Sequence, residues 1–136
     1  MGLPSKYTIN FEAVVGAKSG NDLAALDDIS VSDGPCPGGN QDTCDFENKD
    51  FCDWYNNPDW SGKEFDWMLK SGPTPSSFGT GPYADHTLGT DKGTYVYIEA
   101  SAPAVKGWRA QLAGRPMVNP TPGCVDFWYH MRGRVS

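Results

Sequence analysis

The sequence predicts an all-β domain, and three observations carry that expectation. Sixteen glycines and eleven prolines among 136 residues make the chain turn often. Aromatic residues reach 12%, more apolar payload than a disordered coil carries. Between the turn clusters, apolar residues recur at every second position, the period of a half-buried strand. A chain of this length has room for one domain with a real core, but not comfortably for two.

Taken in order, the first strand covers residues 7–15. Tyr7, Ile9, Phe11, Ala13 and Val15 point one way, and Thr8, Asn10, Glu12 and Val14 the other. Loop residues follow at 17–22. In the next run, LAALDDISV, alternation places Asp27, Ile29 and Val31 on one face and Leu26, Asp28 and Ser30 on the other. A short helix over residues 22–26 competes, but the Ile-Ser-Val ending prefers a strand. The composition then breaks: SDGPCPGGNQDT, residues 32–43, carries no apolar residue except Cys36 and reads as a linker or wide surface turn.

EFDWMLK, residues 64–70, is read as a strand because its Gly/Pro flanks leave no length for a stable isolated helix. Residues 71–93 form a long turn-rich segment of the kind that is functional or folds around something. Tyr95–Ala100 is apolar on both faces, hence a central strand. Trp108–Leu112 is a brief strand. In the last run Val125, Phe127, Tyr129 and Met131 share one face and Cys124, Asp126, Trp128 and His130 the other. His130 beside Trp128 is read as a core position.

Charge narrows the function classes. A formal net charge of −6 and no Lys/Arg run are a poor match for nucleic acid, whose binding rests on phosphate neutralisation. No apolar run reaches the ~18 residues of a membrane span, and MGLPSKYTIN lacks the apolar segment of a signal peptide. Cys36, Cys44, Cys52 and Cys124 contain no C-x-x-C pair and neither histidine neighbours them, which argues against zinc. An even count in a Gly/Pro-rich acidic chain reads as disulfides in an oxidising compartment, and so as an interior piece of a longer secreted chain. Catalysis has little support: the sequence holds no G-x-S-x-G, H-E-x-x-H or Walker loop. His86 beside Asp85 is read as a structural hydrogen-bonding group.

The motifs CDFE (Cys44–Glu47), C-x-W (Cys52–Trp54), FDW (Phe65–Trp67), DHT (Asp85–Thr87), YVYIEAS (Tyr95–Ser101) and FWYHM (Phe127–Met131) resemble, in order and spacing, the N-terminal two-thirds of a MAM domain. YTINFEAVVG followed by LDDISVSDGPC resembles the last strands and closing cysteine of the same family. The resemblance implies residues 1–36 as the C-terminal end of one MAM domain, 37–43 as linker and 44–136 as the N-terminal part of the next. The implied fold is a jelly-roll β-sandwich of two antiparallel sheets, incomplete because the strands that follow FWYHM in the family are absent.

By the same resemblance Cys44 pairs with Cys52. Cys36 and Cys124 lose their family partners, and two outcomes stay open for them: pairing with each other, which closes a loop of ~89 residues worth roughly 4.5 kcal/mol in the chain-entropy picture, or remaining free or bridging separate chains. Related jelly rolls hold a structural cation, Ca2+ or Na+, and the matching oxygen donors are Asp27, Asp28, Asp45, Glu47 and Asp85. Trp54 and Trp67 look like core residues in the family, leaving Tyr55 and Trp60 as candidates for stacking on a sugar. The function implied is a non-catalytic extracellular adhesion or protein-recognition module, homophilic or heterophilic, in a larger membrane or secreted protein. The alternatives are a carbohydrate-binding module with glycan partners and an accessory domain of a secreted protease.

Overall fold

The computed structural model describes residues 6–16, 23–33, 36, 41–58, 65–74, 81–100, 104–117 and 123–132. Among the described residues eight strands run β1 (Asn10–Val14), β2 (Leu23–Asp33), β3 (Gln41–Cys44), β4 (Tyr55–Asn56), β5 (Met68–Ser71), β6 (Thr94–Glu99), β7 (Arg109–Ala113) and β8 (Gly123–Arg132). None of the described residues forms a helix, so none forms one long and apolar enough to cross a membrane. The strands make two antiparallel sheets, one of three strands in the order β1-β7-β4 and one of five built on β3-β2-β6-β5 with β8 paired to β2. The architecture is the all-β sandwich expected of a jelly roll.

β2 organises the larger sheet. Along one edge it pairs first with β6, Leu23 opposite Glu99 through Leu26 opposite Val96, and then with β3, Ile29 opposite Cys44 through Ser32 opposite Gln41. Its other edge is taken over its whole length by β8. The segment 32–43, read from sequence as linker or turn, therefore contributes paired residues at both ends. Polar strands of this sort are invisible to an apolar pattern.

The alternation expected for β2 is corrected at its midpoint. The β2–β8 register shifts between Asp27 and Ser30, and Asp28 sits at φ 48°, a left-handed conformation that Asp tolerates better than most residues. The bulge places two β2 residues opposite one on β8 and flips the phase of the strand. Leu26 and Ile29 consequently both enter the core, whereas strict alternation had put them on opposite faces.

That core joins Leu26 and Ile29 to Phe46, Trp54, Trp67, Val96, Ile98, Ala110 and Leu112. Each large apolar side chain fully removed from water contributes about 1.5–3 kcal/mol before entropy is charged. Trp54 and Trp67 are buried as the family resemblance implied. β1 keeps the predicted alternation: Ile9, Phe11 and Ala13 pack on the core and Val15 is buried, while Asn10, Glu12 and Val14 are exposed. β6, flanked by β2 and β5, is buried from Thr94 to Ile98. Of the run 64–70, residues 65–70 are described, and these are strand from Met68 onward.

β8 is the second correction. Its sequence reads as a core strand, yet Trp128, Tyr129 and Met131 are 55%, 67% and 71% exposed, and His130 is half-buried. The physical reason is position. β8 ends the sheet, and no strand among the described residues pairs with its other edge. The three-stranded sheet stops at β1, so it covers β8 only as far as the edge-to-face contact between Phe11 and Phe127, 4.9 Å between ring centres.

Candidate functional site

Three features of the molecule bear chemistry: an acidic corner around the 85–90 turn, two disulfides, and the exposed face of β8. The corner is built by the β2 bulge. Asp27 is buried beneath the turn, where its carboxylate accepts hydrogen bonds from His86 N (2.8 Å), Thr87 N (3.4 Å) and Asp28 N (2.8 Å). Asp28, turned outward by its left-handed backbone, accepts from Thr87 Oγ1 at 2.7 Å and pairs with His86 Nδ1. The His86 ring in turn lies flat on Trp128, 3.7 Å between centres and 16° from parallel. Burial pushes the Asp27 carboxyl up to about 6, against the opposing pull of the His86 and Asp28 amides.

Asp85 organises the turn itself. It is buried, and its two oxygens accept from Leu88 N at 3.0 Å and Thr90 N at 3.3 Å. Glu47 reaches the same region from the other side and accepts the Thr94 amide at 2.8 Å. Desolvation raises the Glu47 carboxyl above its ordinary range, and a hydrogen bond shared with Asp85, then the charges of Asp85 and Asp45, push it further the same way. Asp45 Oδ1 accepts Glu47 N at 3.0 Å.

The five carboxylates named as cation donors thus fall into two sets. Asp27 and Asp28 hold the outer side of the turn, while Asp45, Glu47 and Asp85 meet on the inner side. Most of their oxygens are engaged by backbone N–H groups. Among the described residues no group of three or more His, Cys, Asp or Glu side chains is arranged to hold a metal ion.

Both disulfides are formed: Cys44 with Cys52, Cα atoms 6.0 Å apart, and Cys36 with Cys124, 5.2 Å apart. The first closes a loop in which Phe46, Lys49 and Cys52 all have positive φ. Three non-glycine residues in that region of conformational space cost of order 1–3 kcal/mol each, and the cross-link with the buried Phe46 ring holds them there. The second ties the exit of β2 to the start of β8, beside the Ser32–Cys124 pair of the ladder.

Of the two residues proposed to stack on a sugar, Tyr55 is 44% exposed at the start of β4 and Trp60 lies outside the described residues. The exposed aromatic row is elsewhere. Phe127, Tyr129 and Met131 project from β8 toward the side of β1, and Trp128 projects from the opposite face. A cleft of about 500 Å³ lined by Ala13, Val14, Leu23, Ala24, Ile98 and Met131 separates the end of β8 from β1. Alternation identifies the two faces of a strand and not whether anything covers them, which is why the β8 run reads as core although its side chains are exposed.

Comparison with known proteins places the chain among its relatives. The family model "MAM domain, meprin/A5/mu" matches residues 44–136. The chain is 38% identical over 117 residues to human (Homo sapiens) MAM domain-containing protein 2, covering 82% of this chain and 16% of that protein. It is 31% identical over 137 residues to MAM domain-containing glycosylphosphatidylinositol anchor protein 1 of Gallus gallus, covering 97% of this chain and 14% of that one. With human zonadhesin the identity is 36% over 127 residues, 89% of this chain and 4% of that protein. The chain therefore spans about a sixth or less of the length of these relatives. No solved structure matches it.

Proposed function

The chain belongs to the MAM domain family, and from that premise we propose that it is a non-catalytic extracellular recognition module within a larger multi-domain protein. The observation that carries the reading is the pair of disulfides on a chain of this family. Cross-links of this kind persist in oxidising compartments, and here they brace the sandwich at the 44–52 loop and between β2 and β8. The printed names of the relatives, an anchored MAM protein and a zonadhesin, support the same assignment. Residues 1–36 serve as the closing end of one MAM unit, 37–43 as the connection and 44–136 as the opening part of the next; a family match that begins at Cys44 supports that division.

The module binds other proteins through its surface, with the acidic corner and the β8 face as the two chemically distinct patches. The test is adhesion of beads coated with the oxidised chain to one another and to cells displaying extracellular proteins. Clustering or cell binding that disappears when the chain is reduced and alkylated is the expected result. Beads that remain dispersed and bind no cells in either form would contradict the assignment.

A further inference from the structure

From the geometry of the acidic corner we infer a recognition pocket there, one that takes the guanidinium of an arginine side chain presented by a partner protein. The inference rests on the recognition reading above and names the chemistry of one contact within it. The outer face of the five-stranded sheet forms the floor. Ala25, opposite His130, and Asp27, opposite Trp128, belong to that face, and Tyr95 of β6 lies beside them. The 82–86 segment lies against it, held down by the bond from His86 N to Asp27 and by the stack of His86 on Trp128. A pocket of about 250 Å³ remains between segment and sheet. β2, β6 and β8 line it with their faces and not their edges, so a strand added beside β8 would leave it in place.

The chemistry of this pocket is one-sided. Ala25, Asp27, Asp85 and Tyr95 are buried at its base, whereas Trp128 and His86 are exposed at its mouth. Among the described residues that line it there is no Lys, Arg, Asn or Gln. Tyr95 already gives its hydroxyl hydrogen to Gly72 O. The carboxylates, in contrast, keep acceptor capacity. A carboxylate offers about four lone-pair directions. Asp27 uses two of them well, on His86 N and Asp28 N at 2.8 Å each, while its bonds from Thr87 are stretched to 3.4 and 3.5 Å. Acceptors without donors suit a ligand that brings donors and no acceptor, and the guanidinium is that group.

Other occupants fit less well. Sugar hydroxyls need donors as well as acceptors, and the Trp128 face turned toward the segment is already covered by His86. The volume falls below the ~300–1,000 Å³ of small-molecule sites, so the pocket admits one long side chain. An ammonium would answer the charge but not the shape. A flat guanidinium lies against the rings of Trp128, His130 and Tyr95 while its edge meets a carboxylate. The net charge of −6 favours the approach of a cationic partner.

The test titrates the oxidised chain, followed by heteronuclear NMR, with capped Gly-Arg-Gly, Gly-Lys-Gly and Gly-citrulline-Gly peptides. The arginine peptide is expected to shift the Asp27 and His86 amides and the Trp128 indole N–H saturably, in the millimolar range proper to one side chain. The citrulline peptide, of the same shape without the charge, is expected to leave them in place, and the lysine peptide to bind about fivefold more weakly. Ala84→Leu fills the pocket from the 82–86 side without removing a carboxylate and is expected to abolish the response. Asp27→Asn is expected to weaken it about tenfold. The citrulline comparison needs no variant and stands even where a substitution unfolds the turn. No saturable shift with the arginine peptide, shifts confined to residues away from the pocket, an equal response to citrulline, or undiminished binding by a folded Ala84→Leu chain would each overturn the inference. A chain that ignores the peptide while its beads still bind cells would overturn the pocket and leave the recognition reading standing. Peptide binding by a chain whose beads never adhere would uphold the pocket and sink that reading.

Discussion

The side-chain amide of Asn56 hydrogen-bonds both peptide groups of Trp67, its Oδ1 accepting from Trp67 N at 2.8 Å and its Nδ2 donating to Trp67 O at 3.0 Å. Asn56 belongs to the three-stranded sheet, and Trp67 immediately precedes β5 of the five-stranded one. One amide therefore stands in for a ladder partner and ties the two layers at the Trp67 core position. Asn56→Ala leaves a partly buried N–H and C=O unpaired and is expected to lower unfolding stability by about 2–3 kcal/mol in urea denaturation. Asn56→Asp keeps the acceptor but sets a carboxylate against the Trp67 carbonyl. It is expected to cost at least as much at neutral pH and less when the carboxyl is protonated.

The raised Asp27 carboxyl makes stability fall as pH rises. Below the unfolded value of 3.8 both states hold the proton and the group contributes nothing. Between 3.8 and about 6 the folded chain keeps the proton and the unfolded chain loses it, so each pH unit removes stability. Above about 6 the penalty is complete, on the order of 2–3 kcal/mol. Asp27→Asn is expected to make the slope of stability between pH 4 and 6 shallower by one proton, measured by denaturant midpoints at stepped pH. Glu47, also raised, keeps a slope of the same sign.

Gly93 is occupied by its neighbour's chemistry. A Cβ added there would fall on the Asp85 carboxylate, the group that caps Leu88 and Thr90. Gly93→Ala is expected to cost roughly 2–3 kcal/mol by displacing that carboxylate. Combined with Asp85→Ala it costs less than the sum of the two single changes, because the clash has already been removed. A thermal-denaturation cycle of the four proteins measures the difference.

The two disulfides are expected to contribute unequally. Replacing Cys36 and Cys124 together by Ser reopens a loop with a sequence separation of 88, whereas Cys44 and Cys52 enclose one of 8. Chain entropy gives about 4.5 kcal/mol for the longer loop and about 2.5 for the shorter. A short-loop loss well below that figure would mean that strain in the positive-φ residues of the 44–52 loop is released when the loop opens.

What was legible in the sequence follows from which signals survive folding. The alternation of Ile9, Phe11, Ala13 and Val15 survives because β1 has one covered face, and the unbroken Tyr95–Ala100 run survives because β6 has two. Asp28 breaks the pattern of β2 with one left-handed residue, and a binary pattern cannot register a change of phase it does not contain. Asp27, Asp28 and Asp85 stand out in the sequence as an acid cluster around His86. Their oxygens bind turn amides, and backbone groups leave no mark in a sequence. Asn56 carried no signal at all, being one polar residue among several in a turn.

The Cys36–Cys124 bond also decides how the module bears load. Tension applied at the two ends passes along residues 1–36, crosses the sulfurs and leaves along residues 124–136, so the segment between the cysteines is bypassed. At about 3.4 Å per extended residue, the 88-residue separation shields roughly 300 Å of contour from extension. In a tethered protein under shear, most of the sandwich would stay at its folded length until that one covalent bond was reduced. The local redox potential would then set how far the tether can stretch.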